Sequence, residues 1–188
     1  MGSLGTQPLQ HIPPREEGSG RVNVVIDTPA GSRNKYKYDE QLAVFRISRI
    51  LPQGAVFPYD FGSIPGTRAP DGDALDVLVL QPAPAFPGCL VTVKLIGVLH
   101  AEQRESGKLI QNDRLIGAVD TEVNPARLTE LRELDREQLR AIEHFFGSYN
   151  AFQGRAFSIR SRGGASDATR TLERAIKAHA AESRKTAS

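Results

Sequence analysis

The sequence predicts an α+β fold, with a small β-barrel or strongly curved sheet first and helices last. Three observations carry this. Short apolar and β-branched runs bounded by turn residues fill the chain from Arg21 to about Val119. Pro52, Pro58, Pro65, Pro70, Pro82, Pro84 and Pro87 punctuate that half, and none lies inside a run. After Pro125 the apolar spacing changes from two residues to three or four, and strands followed by helices make an α+β chain.

The elements follow in order. "RVNVVIDTP" alternates and stops at Pro29, which makes it a strand. "NKYKYD" and "LAVFRISRIL" come next with turn residues between them. "DVLVL" and "CLVTVKLIGVLHAE" are β-branched runs bounded by Pro and Gly, and "DRLIGAVD" makes one more short strand. Strands this short and this closely spaced suit a small barrel. Leu139, Ile142, Phe145, Phe146 and Tyr149 form the stripe of an amphipathic helix, with Asp135 and Gln138 as its capping box and Gly154 beyond its end. Leu172, Ile176 and His179 place a second helix, opened by Ser166 or Asp167.

A length of 188 residues suits one domain, and 39% hydrophobic with 24% charged residues is an ordinary globular balance. The division expected is a disordered arm over 1–20, one domain over 21–180 and a flexible tail over 181–188. A net charge of +2 gives no electrostatic reason to expect a nucleic-acid or membrane-surface partner. No apolar run approaches the roughly 20 residues of a membrane span. The start, rich in Gly, Pro and Ser, lacks the pattern of a signal peptide; "MGSLGT" fits the loose myristoylation pattern, which is too short to carry weight. Cys89 is the only cysteine, so an internal disulfide is impossible and a reducing, cytoplasmic setting is expected. It is expected to act as a small core hydrophobe.

"DGDALDVLVL" holds the chemistry. Asp71 and Asp73 around Gly72 are what a polar turn uses, but a turn does not explain Asp76 at the mouth of an apolar strand. Two carboxylates about 4 Å apart repel by roughly 1 kcal/mol in water and several-fold more when partly desolvated. Such crowding persists most easily around a cation. Four scattered histidines (His11, His100, His144, His179) and one cysteine give no zinc spacing. An EF-hand fails because its twelfth position would be Pro82. Oxygen ligands alone suit Mg²⁺, Mn²⁺ or Ca²⁺, and Mg²⁺ completes its shell with water and phosphate. Lys35 and Arg49 are the cations placed to meet phosphate oxygens, although each taken singly also fits a solvated strand face. No Walker A loop and no GxGxxG occurs.

Taken together, "VVIDTPAGSRNKYKYD", "SRILPQGAVFPYDFGSIPGT", "DGDALDVLVL", "FPGCLV" and "IEHFFGSYN" resemble the soluble, family I inorganic pyrophosphatases, in collinear order from about residue 21 to 155. The resemblance implies a five-stranded, OB-like, strongly curved barrel with two or so helices packed outside. It implies Mg²⁺-dependent hydrolysis of pyrophosphate and a homo-oligomer, with Mn²⁺ as the alternative ion. Asp71 and Asp76 would hold metal and Asp73 would be the base acting on the attacking water. Lys35, Arg49 and Tyr149 would bind pyrophosphate oxygens, and Asp27 and Phe61 would stand in the outer shell.

Several positions depart from the family pattern. Lys37 stands where a glutamate is usual, Phe61 where a substrate-binding tyrosine is usual and Asn150 where a lysine is usual. Asn112 falls at a metal-binding aspartate, with Asp113 beside it and Arg114 in place of a lysine. A further metal aspartate has Glu102 as its nearest acid. Lys37 and Arg114 are therefore added as substrate contacts, and Glu102, Asn112 and Asp113 as metal candidates. A site with fewer acids should take fewer metal ions. Two other readings stay open: hydrolysis of a different phosphoanhydride, such as a nucleotide or short polyphosphate, or a non-catalytic phosphate-binding scaffold on the same fold.

Overall fold

The computed structural model describes residues 9–105, 107–120 and 127–186, so the myristoylation pattern lies outside the described residues. Among the described residues, nine strands and two α-helices follow in the order β1 (Val22–Thr28), β2 (Asn34–Asp39), β3 (Val44–Ile50), β4 (Asp60–Ile64), β5 (Leu75–Leu80), β6 (Leu90–Glu105), β7 (Lys108–Gln111), β8 (Arg114–Val119), α1 (Arg136–Ala151), β9 (Ala156–Gly164) and α2 (Ala165–Thr186). The expected barrel is there. β1, β4, β5, β8 and β6 pair in that order, and β1 pairs again with β6 to close a five-stranded ring. Closure removes the open sheet edges that a small β fold must otherwise protect. All these pairings are antiparallel except β5 with β8, which run parallel. The 16-residue β6 outruns the ring and carries β7 and β9 on its far half, while β2 and β3 form a separate hairpin.

Strands β4, β7 and β9 go beyond the sequence reading. β4 is five residues long with Gly62 at its centre, and a Cβ there would lie 2.3 Å from the Val25 carbonyl oxygen. The glycine that weakens the strand signal is what lets β4 close on β1. In β9, Phe157 and Ile159 pack inward while Ser158 and Arg160 alternate with them, a period of two hidden in a polar C-terminal stretch.

β4, β5, β6 and β8 each feed two apolar clusters, while β1 feeds the first alone. On β5, Val77 and Val79 enter one and Leu78 the other. Ala168, Leu172 and Ala175 of α2 close the first, and Leu139, Ile142, Phe146 and Tyr149 of α1 close the second. Each fully buried Leu, Ile or Phe contributes roughly 1.5–3 kcal/mol. Asp135 caps α1 by accepting from the Glu137 N–H at 3.2 Å, one residue short of the expected box partner. The second helix opens at Ala165, a residue earlier than expected, and runs on to Thr186, past the domain end placed at 180. Residues of the expected arm lie along β1 and α2: the Asn23 N–H donates to the Pro14 carbonyl at 3.0 Å, and Arg15 pairs with Glu173 at 2.6 Å. Cys89 is half-buried at the entry to β6, not within the core.

Candidate active site

The acid turn joins β4 to β5. Gly72 has φ +91°, a left-handed conformation that disfavours any side chain, and it turns the chain between the two acids. The Asp71 Oδ1 accepts from the Asp73 N–H at 3.2 Å, so Asp71 does serve the turn. Asp76 does not: it lies on β5 opposite Ser63 of β4. Burial raises the Asp71 carboxyl above its ordinary range, with the Asp76 and Asp73 charges adding to this and the Asp73 N–H and Arg114 opposing it.

Asp27 arrives beside Asp76 through a bulge. Ile26 pairs with Gly62 and Thr28 with Phe61, leaving Asp27 as the extra residue on β1. Burial pushes its carboxyl up to about 7; the Asp76 charge adds to this, while Lys35, a hydrogen bond from Ser63 and Lys37 pull it down.

The β2–β3 hairpin brings the cations. Lys35 lies opposite Arg49 and Lys37 opposite Arg46, with Ser48 the extra residue between. That bulge sets Arg46 and Arg49, three residues apart, on one face with the two lysines, whereas regular alternation would oppose them. The Lys37 Nζ reaches the Asp73 carboxylate at 3.2 and 3.5 Å. Both side chains are about two-thirds exposed (63% and 66%), so the pair is worth roughly 0–1 kcal/mol and parts easily. The Lys35 Nζ sits over the rings of Phe61 and Tyr149, 5.1 and 5.3 Å from their centroids, and is held there by cation–π attraction.

Arg114 opens β8 and is 6% exposed. Its guanidinium lies over Phe61, Phe146 and Phe157, and its Nη1 is 2.7 Å from the Asp76 Oδ2. The same nitrogen also donates to the Asn112 Oδ1 and, at 3.1 Å, to the Asp113 carbonyl. The Arg114 Nε is buried with no partner. The Asn112 Nδ2 in turn donates to the Gln103 Oε1 at 2.8 Å. Gln103, Asn112 and Arg114 thus form one buried chain of contacts that ends on the half-buried Asp76. Phe61, expected in the outer shell, is the shared ring beneath two cations.

Two of the expected metal candidates are not brought to the acids. Glu102 pairs with Arg160 of β9 at 2.8 Å; the neighbouring Gln103, facing the other way along β6, is the residue on the site's side. Asp113 is buried, and both its oxygens are engaged, one by the Ala101 N–H at 3.1 Å and the other by His100 at 3.0 Å and Gln111 at 2.8 Å. Asn112 stays next to the site, but its amide oxygen is committed to Arg114. Gln103, Ser63 and Arg46 escape a sequence reading. The first two are uncharged, and Arg46 reaches its face only through the bulge, where its guanidinium pairs with Asp39 at 3.1 Å.

Among the described residues, no three His, Cys, Asp or Glu side chains are grouped to hold a metal ion. The donors fit a smaller demand. Asp71 has no ion-paired cation among the described residues, and Asp76 has one oxygen beyond the Arg114 contact. One or two carboxylates with water and phosphate make the shell Mg²⁺ accepts, so the chemistry of these oxygens fits one such ion.

Comparison with known proteins bears on this geometry. The sequence model of the family described as "Pyrophosphatase: Inorganic pyrophosphatase" matches residues 24–180. The chain is 34% identical to the inorganic pyrophosphatase of Thermus thermophilus over 147 residues, 78% of this chain and 82% of that protein. It is 35% identical to the Synechocystis inorganic pyrophosphatase over 78% of this chain and 84% of that one. The crystal structure of the Thermus thermophilus inorganic pyrophosphatase superposes with a TM-score of 0.82 at 29% identity, covering 92% of this chain and 99% of that one. The Neisseria gonorrhoeae inorganic pyrophosphatase gives 0.80 with the same identity and coverage.

Proposed function

The chain belongs to the inorganic pyrophosphatase family, and we propose that it hydrolyses inorganic pyrophosphate to two phosphates. The observation that carries this reading is the opposition of the acid turn, Asp71, Asp73 and Asp76, to the cationic face of the β2–β3 hairpin, joined at Lys37 and Asp73. A diphosphate is small and highly charged, so its hydrolysis is a problem of positioning and of neutralising the oxygens of both the transferred and the departing phosphate. Lys35, Arg49 and Arg114 supply fixed positive charge. The rings under Lys35 hold its ammonium at one place, and Tyr149 adds a phenolic group beside it.

Asp73 takes the proton of the attacking water. It is an exposed carboxylate held by a cation that an incoming anion attracts away. Asp71 and Asp76 would hold the Mg²⁺ that the family uses, with Mn²⁺ able to replace it; when bound, such an ion acidifies a water and screens phosphate charge. A homo-oligomer in the cytoplasm belongs to the same reading. No helix among the described residues is long and apolar enough to cross a membrane.

A second reading, a phosphate-binding protein without turnover, is favoured by one observation: Arg114 and Lys37 already sit on two of the three acids. Phosphate release from pyrophosphate, ATP and tripolyphosphate, each with and without Mg²⁺, separates the readings. Release from pyrophosphate alone supports the first, preference for another substrate moves the activity to that phosphoanhydride, and none from any leaves the binding protein. Light scattering reports the oligomer as a mass above the 20.5 kDa of one chain.

A further inference from the structure

We propose that this site neutralises its acid cluster with its own side chains, Arg114 and Lys37, so that without diphosphate the protein takes at most one divalent metal ion per chain. The inference rests on reading this cleft as the diphosphate site and concerns what the cleft holds before substrate arrives.

Arg114 is the principal device. A guanidinium does not lose its proton in a protein, and three aromatic rings with a buried amide oxygen fix it on Asp76. A metal ion approaching the Asp76 Oδ2 would meet a full positive charge at 2.7 Å, in surroundings where water screens poorly. The two amides beside Arg114 add no negative charge. Asn112 and Gln103 are both buried and neutral, and the Asn112 Nδ2 donates to the Gln103 Oε1 at 2.8 Å. Lys37 does the same for Asp73 more loosely, at the exposed rim.

Four carboxylates, Asp27, Asp71, Asp73 and Asp76, therefore face Lys35, Lys37 and Arg114. Even with every acid ionised, the group carries a single net negative charge, and Arg49 on the same hairpin face reduces it further. Two or more divalent ions would find less charge than they bring. One ion, using Asp71 and the remaining Asp76 oxygen as ligands, already outweighs it, so a second would enter a site that is net positive.

The contacts of Arg114 also point to an arrangement completed by an anion. Its Nη1 serves three acceptors while its buried Nε has none. A buried N–H without an acceptor is costly, and a phosphate oxygen is the group that would relieve it. Because a diphosphate brings negative charge, it should raise the affinity for the ion, and by linkage the ion should raise the affinity for diphosphate by the same factor.

The experiment is a Mn²⁺ titration of the full chain without phosphate, with free Mn²⁺ read by electron paramagnetic resonance. At most one bound ion per chain is expected. Two or more would overturn the proposal. K37Q and R114Q each remove one positive charge and should tighten Mn²⁺ binding about tenfold or add a second bound ion, as loss of a charge a few ångströms away predicts. Unchanged binding in both variants would remove these side chains as the cause. If R114Q fails to fold, the rim variant K37Q and the wild-type count still decide. The titration contains no substrate, so failure of the protein to split pyrophosphate would sink the proposed activity and leave the ion count standing.

Discussion

Asp73 carries its carboxylate at the rim of the site with Lys37 upon it, and the fold asks little of that side chain. Asp73→Asn should therefore lower phosphate release from pyrophosphate by about 10²–10⁴-fold, the usual worth of a general base, with an unchanged melting temperature. Wild-type turnover in that variant would remove Asp73 from the mechanism. Asp27 behaves oppositely, because the fold bears on it directly. Its carboxyl lies at about 7 in the folded protein against 3.8 in the unfolded chain. Between those values the folded state keeps a proton that the unfolded state has lost, so stability falls as pH rises from about 4 to 7 and levels off above. Asp27→Asn cannot titrate and should lose that slope. Urea unfolding should place the variant above the wild type at pH 8, by at most about 4 kcal/mol, and close to it at pH 4. Parallel pH profiles for the two proteins would show that Asp27 is not held in this way. The acids were legible as candidates because Asp76 at the mouth of an apolar strand needs an explanation beyond a turn, and Lys35 because a phosphate beside such a cluster needs a cation. Arg114 was legible only as a substrate contact, since no sequence pattern tells that a guanidinium will lie on Asp76.

Among the elements, β4 is where sequence reading failed most instructively. A glycine between two prolines reads as loop, yet Gly62 exists for the approach of β1. Gly62→Ala would place a methyl 2.3 Å from a backbone oxygen, and the two strands carry Asp27 and Phe61 on either side of that contact. The variant should lose roughly 1–3 kcal/mol in urea melts and more activity than its lost stability explains. A stable, fully active variant would show that β1 and β4 separate without consequence. β5, β6 and α1 were readable because their apolar residues follow one period over several turns or pleats. β7 and β9 were not, since a strand laid on the outer part of β6 buries one face only partly. The bulges at Asp27 and Ser48 were hidden as well. Each places a charge where alternation would not, and pairing register is a property of two strands that neither sequence states alone.

At the scale of the molecule, α2 closes one of the two clusters and supports the acid turn. The Arg68 N–H donates to the Ala175 carbonyl at 3.0 Å, and the Arg68 side chain pairs with Glu182 at 3.0 Å, three residues before Asp71. Leu172 is wholly buried between helix and barrel. Leu172→Ala should cost about 2–5 kcal/mol in stability, read by urea melts. Stability within 1 kcal/mol of wild type would show that the helix only rests on the surface. The α+β order and the barrel were both readable from strands first and helices last, but ring closure was not, because it depends on partners far apart in the chain. β1 meets β6 at Val22 and Val93, and β5 meets β8 at Val77 and Leu115. Contacts of this separation must be found by diffusion of long loops before either apolar cluster can form, which places the chain among slow folders, on the scale of milliseconds to seconds. The reacting groups come from residues 27 to 149 and meet only when that search ends, so a nascent or truncated chain carries the acids and the cations without yet having a place where they face one another.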